Sequence, residues 1–319
     1  MSTQYPSASK SYLLENKRGR FVQVANDLIP ELEKIGMVTD AVWSDYNNDG
    51  AKDLVITGEW MGVEIFENKG NGAFEKLGNT SISSSIGWWN SIVAADFDND
   101  GDEDFIAGNL GLNYKYKASM DEPFNIYAND FDENGSLDIV LGYHNQGELY
   151  PLRGRECTSN QMPFIKEKFP DYDSFGKAKL TEVYGDKALS EALHYSATNF
   201  ASVYIENKGD GNFVLHQLPL RAQFSSINSI IINDFDNDKN LDVLVAGNLY
   251  QSEVETARND AGYGLLLKGD GHGNFRPLGY QKSGVHINGD VKKMAPILIG
   301  DKPSILIGKN NDYLQLISF

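Results

Sequence analysis

Four short stretches of the chain place carboxylates or carboxamides at alternate positions around a tight turn, a spacing that aims oxygen ligands at one centre. They are Asp45, Asn47, Asp49 and Asp53; Asp96, Asp98, Asp100 and Asp104; Asp130, Asp132, Asn134 and Asp138; and Asp234, Asp236, Asp238 and Asp242. Held together without a cation these groups repel, and coordination of a hard, oxygen-preferring ion relieves the repulsion. Ca2+ suits such a turn better than Mg2+, because it accepts about six to eight oxygens in irregular geometry, a backbone carbonyl among them. An EF-hand would need a bidentate Glu at its twelfth position, between helices. Those positions here are Ile56, Ala107, Leu141 and Val245, apolar and strand-like, while the ninth is Asp in every copy. The expectation is therefore up to four Ca2+ ions in turns that are not EF-hands. The fourth site should be weaker, because Lys239 stands where the other copies have Gly50, Gly101 and Gly135, and such a turn favours glycine.

The elements around the turns repeat with them. Each turn lies between two β-rich segments: 41–43 and 54–56, 92–95 and 105–107, 125–128 and 139–141, 230–232 and 243–245. The second segment always stops at a glycine, namely Gly58, Gly108, Gly142 or Gly247. A second repeated element reads as a hairpin: Phe66-Glu-Asn-Lys-Gly70-Asn-Gly72-Ala-Phe74, Ile205-Glu-Asn-Lys-Gly209-Asp-Gly211-Asn-Phe213 and Leu267-Lys-Gly269-Asp-Gly271-His-Gly273-Asn-Phe275. Gly and Asn supply the positive φ angles of tight turns. A further copy, Leu14-Glu-Asn-Lys-Arg-Gly19-Arg-Phe21, has no acidic turn before it, and the strand pair 295–300 and 304–307 near the other end lacks its hairpin. The two ends read as halves of one unit, as in a circular array whose N-terminal strands complete the last sheet.

The acidic turns are 51, 34 and 104 residues apart, and the long gap changes period. From 161 to 196 the apolar residues recur at helical spacing, as in Phe164, Ile165 and Phe169, then Leu180, Val183 and Tyr184. This is a helical insertion, bounded at 155–196, whose apolar positions make a small core of their own. The expected fold is all-β: a single β-propeller domain over 11–319 of about five blades (five to seven), closed by N-terminal strands, with a disordered tail at 1–10.

Composition bounds the function. With 28 Lys plus Arg against 45 Asp plus Glu, the net charge of −17 excludes nucleic acid and anionic membrane as partners, since both require a basic surface. No apolar run approaches the roughly 20 residues of a membrane span. Cys157 is the sole cysteine, so no internal disulfide forms and stability falls to packing and metal. Met1 to Lys10 lacks the apolar stretch of a signal peptide.

The acidic turn between two strands, followed by a glycine and then by Glu-Asn-Lys-Gly-x-Gly-x-Phe, resembles the FG-GAP or VCBS repeat of integrin-α-like β-propellers over 11–319. A closer likeness is to the C-terminal part of large VCBS-repeat proteins of Bacteroidetes-type bacteria, carried by Tyr150-Pro-Leu-Arg153, Lys166-Glu-Lys-Phe169, Asn199-Phe-Ala-Ser202, Tyr263-Gly-Leu-Leu-Leu267 and Lys309-Asn-Asn-Asp312. The resemblance implies Ca2+ on one face of the propeller and partner contacts on the other face or rim. It also implies an exported protein and a place in a larger chain or assembly.

Three functions compete. The first is a non-catalytic binding or adhesion module for a protein or glycan at the cell surface or in the periplasm of a Gram-negative bacterium, where calcium fills weak sites. Its candidate contacts are Trp60, Trp88, Trp89, Tyr114 and Tyr250, aromatics at strand ends that otherwise pack between blades. The second is a polysaccharide lyase or hydrolase, for which only His144, Arg153, Arg155 and His194 around the insertion offer acid–base groups. The third is a structural part of an outer-membrane assembly, docked through the insertion. The first is preferred.

Overall fold

The computed structural model describes residues 5–24, 28–70, 72–252 and 255–318. Near the N-terminus, strands β1 (Leu14–Lys17) and β2 (Arg20–Gln23) form a separate two-stranded hairpin. The first large sheet follows as an antiparallel meander of β3 (Met37–Ser44), β4 (Asp53–Met61), β5 (Glu64–Asn68) and β6 (Phe74–Lys76), with β7 (Gly87–Trp88) against the end of β4. The second sheet begins with β8 (Ser91–Ala95) and β9 (Asp104–Gly108), and the chain then departs from it.

The departure carries a complete sheet of its own: β10 (Phe124–Asn129), β11 (Asp138–Asn145) and β12 (Glu148–Pro151), with β13 (Leu193–Ala197) on the far side of β10. The chain returns with β14 (Val203–Asn207) and β15 (Phe213–Gln217), which complete the second sheet in the order β15-β14-β9-β8. Two further meanders end the chain: β16 (Ile227–Asn233), β17 (Asp242–Gly247), β18 (Leu265–Gly269) and β19 (Phe275–Leu278), then β20 (Val291–Ile299), β21 (Lys302–Lys309) and β22 (Gln315–Ser318). The protein is mostly β, in several small antiparallel sheets, none of them closed among the described residues.

Two compact units result, where a single one over 11–319 is expected from sequence. One is built on Lys115–Asn199, the other on Ala8–Tyr114, Phe200–Ser252 and Arg258–Phe319. The smaller unit holds the third acidic turn as well as the helices, so the insertion is wider than 155–196 and contains a full sheet. Its five short helices lie between Arg155 and Ser190, and residues 193–196 belong to β13. Pro163, Pro170 and Gly185 keep the helices short. Met162, Ile165, Phe175, Leu180, Val183 and Leu189 close over Val140 as a core within this unit.

The N-terminal strands do not complete the last sheet. Among the described residues β1 and β2 pair only with each other, and the third strand beside β21 is β22, which the sequence pattern did not reveal. Residues 1–4 of the expected tail lie outside the described residues, while Lys10 is held by an ion pair to Glu33.

In the larger unit, β9 and β17 are buried along their whole length and β4 nearly so, and they read as apolar runs rather than alternation, as strands covered on both faces do. Val55, Ile65, Trp89, Ile92, Phe105 and Ile205 fill the space between the first and second sheets; Ile106, Tyr204, Ile227, Val243 and Leu267 fill that between the second and the β16–β19 sheet.

The glycine that ends each second strand has a packing reason. Opposite Gly58, Gly247 and Gly308 the first strand carries a β-bulge, at Thr39, Asn228 and Lys292 respectively. At Gly58 and Gly247 the first strand's backbone presses onto the glycine, where a Cβ would lie 2.1 Å from Met37 O and 1.8 Å from Ser226 O; at Gly308 the nearest atom, Lys293 O, would lie 3.4 Å away. Two bulged side chains are thereby turned to the next sheet, Thr39 Oγ1 donating to Trp89 O at 2.7 Å and Asn228 Nδ2 to Val291 O at 2.8 Å. Replacing Gly247 with Ala should destabilise the protein by about 2–3 kcal/mol, read as a lower midpoint in chemical unfolding. An unchanged midpoint would mean that the bulge relaxes freely.

Candidate metal centres

The acidic turns share one backbone shape. Their fourth residues, Asn48, Asn99, Glu133 and Asn237, have φ between 55° and 62°, and the sixth residues are also left-handed. Lys239 adopts φ 73° there, so it keeps the turn at the strain cost of a non-glycine residue, about 1 kcal/mol. The first aspartate holds the turn by accepting amides: Asp45 takes those of Asp49 at 3.0 Å and Gly50 at 3.1 Å, and Asp130 those of Asn134 at 2.9 Å and Gly135 at 2.7 Å.

The ninth aspartate has a second role that spacing alone does not show. Asp53, Asp104, Asp138 and Asp242 are buried at the start of β4, β9, β11 and β17. Asp104 Oδ2 accepts Phe97 N at 3.2 Å and Tyr204 OH at 2.9 Å, while its Oδ1 accepts Asn207 N at 2.8 Å. Asp53 Oδ1 takes Asn68 N at 2.7 Å, and Asp242 Oδ1 takes Gly269 N at 3.0 Å. One carboxylate thus joins the acidic turn to the third strand of its sheet, and the two repeated sequence elements meet in that bond. In the smaller unit, where the Glu-Asn-Lys-Gly hairpin is missing, Gln161 Nε2 fills the same role towards Asp138 Oδ1 at 3.0 Å.

Three turns bring carboxylate oxygens of their first, third and ninth residues within 4.8 Å of one another: Asp96, Asp98 and Asp104; Asp130, Asp132 and Asp138; Asp234, Asp236 and Asp242. The first turn is outside this set, with Asn47 in its third place. Fifth residues such as Asp100 and Asn134 instead accept the amide two residues on, at 3.0 and 2.8 Å. A cation is further supported by orphaned oxygens: Asp53 Oδ2, Asp96 Oδ1 and Asp132 Oδ1 are buried with no hydrogen-bond partner. A buried carboxylate oxygen without a donor is costly unless an ion meets it, and the all-oxygen donor set suits a hard divalent cation.

The fourth turn differs. Lys268 Nζ pairs with Asp236 and lies 2.8 Å from Asp238, so an ammonium already counters its charge. The equivalent residues on β5 and β14 are Glu67 and Glu206, each neutralised by a lysine two residues later.

Burial pushes Asp53 and Asp104 up to about 6, and pushes Asp98, Asp138 and Asp242 upward too. Hydrogen bonds from Lys268 raise its own pKa and lower that of Asp238.

Polar residues outside the repeated pattern link one turn to the next. Glu103 Oε2 accepts Ser44 Oγ at 2.7 Å and Asp45 N at 2.9 Å, and Asn48 Nδ2 reaches Asp102 Oδ1 at 2.6 Å. Asn99 Nδ2 donates to Gly271 O at 3.1 Å, in the hairpin that follows β18. Their place in the repeat, at its variable positions, hid them from the sequence reading.

The aromatic candidates divide. Trp89 is fully buried, its Nε1 donating to Ser85 O at 3.1 Å, and Trp60 and Tyr114 are buried as well. Trp88 packs edge-on between Trp60 and Phe200, with centroids 5.1 and 5.6 Å away. Tyr250 is half-buried under the Arg258 guanidinium, 4.4 Å from its ring centre. These contacts are packing. Around the insertion, Arg153 donates to Ile139 O and Gln161, Arg155 to Phe169 O and Pro170 O, and His194 bonds Asn125 while stacking on Tyr127. His144 pairs with Leu149 on the β11–β12 edge. Both arginines hold backbone carbonyls, and Arg153 also holds the Gln161 side chain.

Two outcomes follow. Asp53 and Asp104 bind protons more tightly folded than unfolded, so their contribution is present below about pH 4 and lost as pH rises through about 6. Denaturant unfolding in chelator should accordingly show stability falling over that window, and added divalent cation should flatten the fall. Titration with a divalent cation should fill the turns at 45–53, 96–104 and 130–138 and leave 234–242 empty, with Lys268→Gln adding one ion. An unchanged stoichiometry in that variant would refute the role given to Lys268.

Residues 45–107, from the first aspartate of one turn to the strand after the next, match the family model described as an FG-GAP-like repeat. No curated protein matches the chain. The carboxylate turns, the strands they join and this match agree: the chain carries an FG-GAP-like repeat.

Proposed function

We propose that the chain is a non-catalytic, calcium-binding module of the β-propeller kind, its sheets serving as blades and its acidic turns as calcium clamps, that binds a protein or glycan at a bacterial cell surface. The observation that carries the reading is the set of buried, partnerless carboxylate oxygens at Asp53, Asp96 and Asp132, inside turns whose other oxygens are fixed by backbone amides. In such a turn the amide-held oxygens fix the loop and the partnerless ones are left for a cation, which supports an architectural role for the ion. Weak calcium turns fill at the calcium level outside cells, which supports an extracellular location. No helix among the described residues is long and apolar enough to cross a membrane.

Aromatic surface supports a binding role but not at the residues first singled out. Tyr263 and Tyr280 are exposed and flank His286, with ring centres 5.5 and 5.7 Å from the imidazole. Phe224, also exposed, lines a cleft of about 120 Å³ with Arg221 and Tyr263. Exposed tyrosines set at an angle around an imidazole, with a guanidinium lining the adjoining cleft, suit a sugar ring or a peptide side chain. A glycan and protein array probed in calcium should give ligands whose binding falls about tenfold or more in Tyr263→Ala and is lost in chelator. Binding that survives both changes would place the contact elsewhere and separate it from calcium.

A further inference from the structure

The hairpin β1–β2 has the sequence of an outer strand pair but not its surroundings. Leu14-Glu-Asn-Lys repeats the Phe66-Glu-Asn-Lys of β5 and the Ile205-Glu-Asn-Lys of β14. Those two are third strands: β5 pairs with β4 and β14 with β9, and both are largely covered. β1 is exposed at all four residues and, among the described residues, pairs with β2 alone. Leu14, Val22 and Phe21 stand 52%, 41% and 71% exposed.

Asn16 makes the contrast specific. Like Asn68 and Asn207, it turns its Oδ1 to the glycine of the next turn, accepting Gly19 N at 2.8 Å. In the other two copies the asparagine amide donates to a ninth-position aspartate, Asp53 or Asp104, and Nδ2 donates to the carbonyl before it, Lys52 O or Glu103 O, each at 3.2 Å. Among the described residues no such acceptor faces Asn16. Every acidic turn of this chain is already engaged, with Asn68, Asn207, Gln161 or Gly269.

We propose that the free edge of β1 is a docking site for a β-hairpin of a partner protein, two strands joined by an acidic turn, whose ninth-position aspartate accepts the Asn16 amide. The register follows from the complete sheets. Leu54 faces Phe66 and Phe105 faces Ile205, each pair two residues before the asparagine, so the first residue after the partner's ninth aspartate faces Leu14. The occupant's second strand is apolar, because Leu14 offers it an exposed apolar side chain. A second copy of this chain does not fit, since it has no uncommitted acidic hairpin. Strand addition at an open edge draws affinity from main-chain hydrogen bonds and specificity from the side chains that alternate along it.

The test uses the intact chain and a fluorescent peptide of residues 90–109, closed into a hairpin by a terminal disulfide, in calcium. Anisotropy should show saturable binding, weakened about tenfold or more by Asp104→Ala in the peptide and by Asn16→Pro in the protein. Hydrogen exchange at residues 14–17 should slow when the wild-type peptide binds. The peptide variant leaves the protein untouched, so a misfolded Asn16→Pro does not rescue the idea. No binding up to about 1 mM peptide, equal binding of the Asp104→Ala peptide, or protection at Gln315–Ser318 instead of β1 would overturn the proposal. So would self-association of the chain that protects residues 14–17.

Discussion

A single buried carboxylate per repeat fixes the rest of the architecture. Asp53, Asp104 and Asp242 each begin a second strand and reach back or sideways to amides: Asp104 and Asp242 to the turn's second residue, and all three to the end of the third strand. A carboxylate is the side chain that can accept from both directions with two oxygens, and burying it is tolerable only because those bonds form. The acidic turn is therefore part of the sheet's framework before any ion enters. A cation would meet what remains, namely oxygens such as Asp96 Oδ1 and Asp132 Oδ1 that no donor meets.

From that constraint the neighbouring sheets follow. With the second strand pinned at its start by aspartate, the ends of β4 and β17 are set by Gly58 and Gly247, which admit the first strand's bulge. The bulge then directs Thr39 or Asn228 at the adjoining sheet. At the opposite end, Glu103 and Asn48 tie the first turn to the second, and Asn99 ties the second to the hairpin after β18. The first sheet is thus fastened to the second at both ends by polar side chains, while apolar clusters fill the space between the sheets. The fourth turn departs in a self-consistent way: Lys239 forces a left-handed conformation without glycine, and Lys268 supplies internally the positive charge that an ion would bring.

Much of this was legible in the sequence, because alternation of Asp with a following glycine has few physical readings. The turns, their flanking strands, the hairpins and the departure at Lys239 all stand where the pattern put them. What escaped notice depends on contacts between distant segments. The second sheet is interrupted between β9 and β14, and only pairing across that gap shows that the third acidic turn sits inside an inserted unit. β22 is short and irregular in pattern, so the last sheet looked incomplete and the N-terminal hairpin looked like its missing part. Trp60 and Trp89 stand at strand ends, where a ring can serve as a platform or pack between sheets, and they lie in the core, since a tryptophan's apolar area favours burial.

The central claim is that the turns are cation-clamped elements of the framework. Thermal unfolding of the intact chain with calcium, with magnesium and with chelator, alongside the metal content of the protein, tests it most directly. The account predicts a rise in Tm with calcium that exceeds the rise with magnesium and vanishes when Asp96 and Asp132 are both replaced by Asn. An unchanged Tm in calcium, with no bound metal, would contradict it and leave the turns as hydrogen-bonded acidic corners alone.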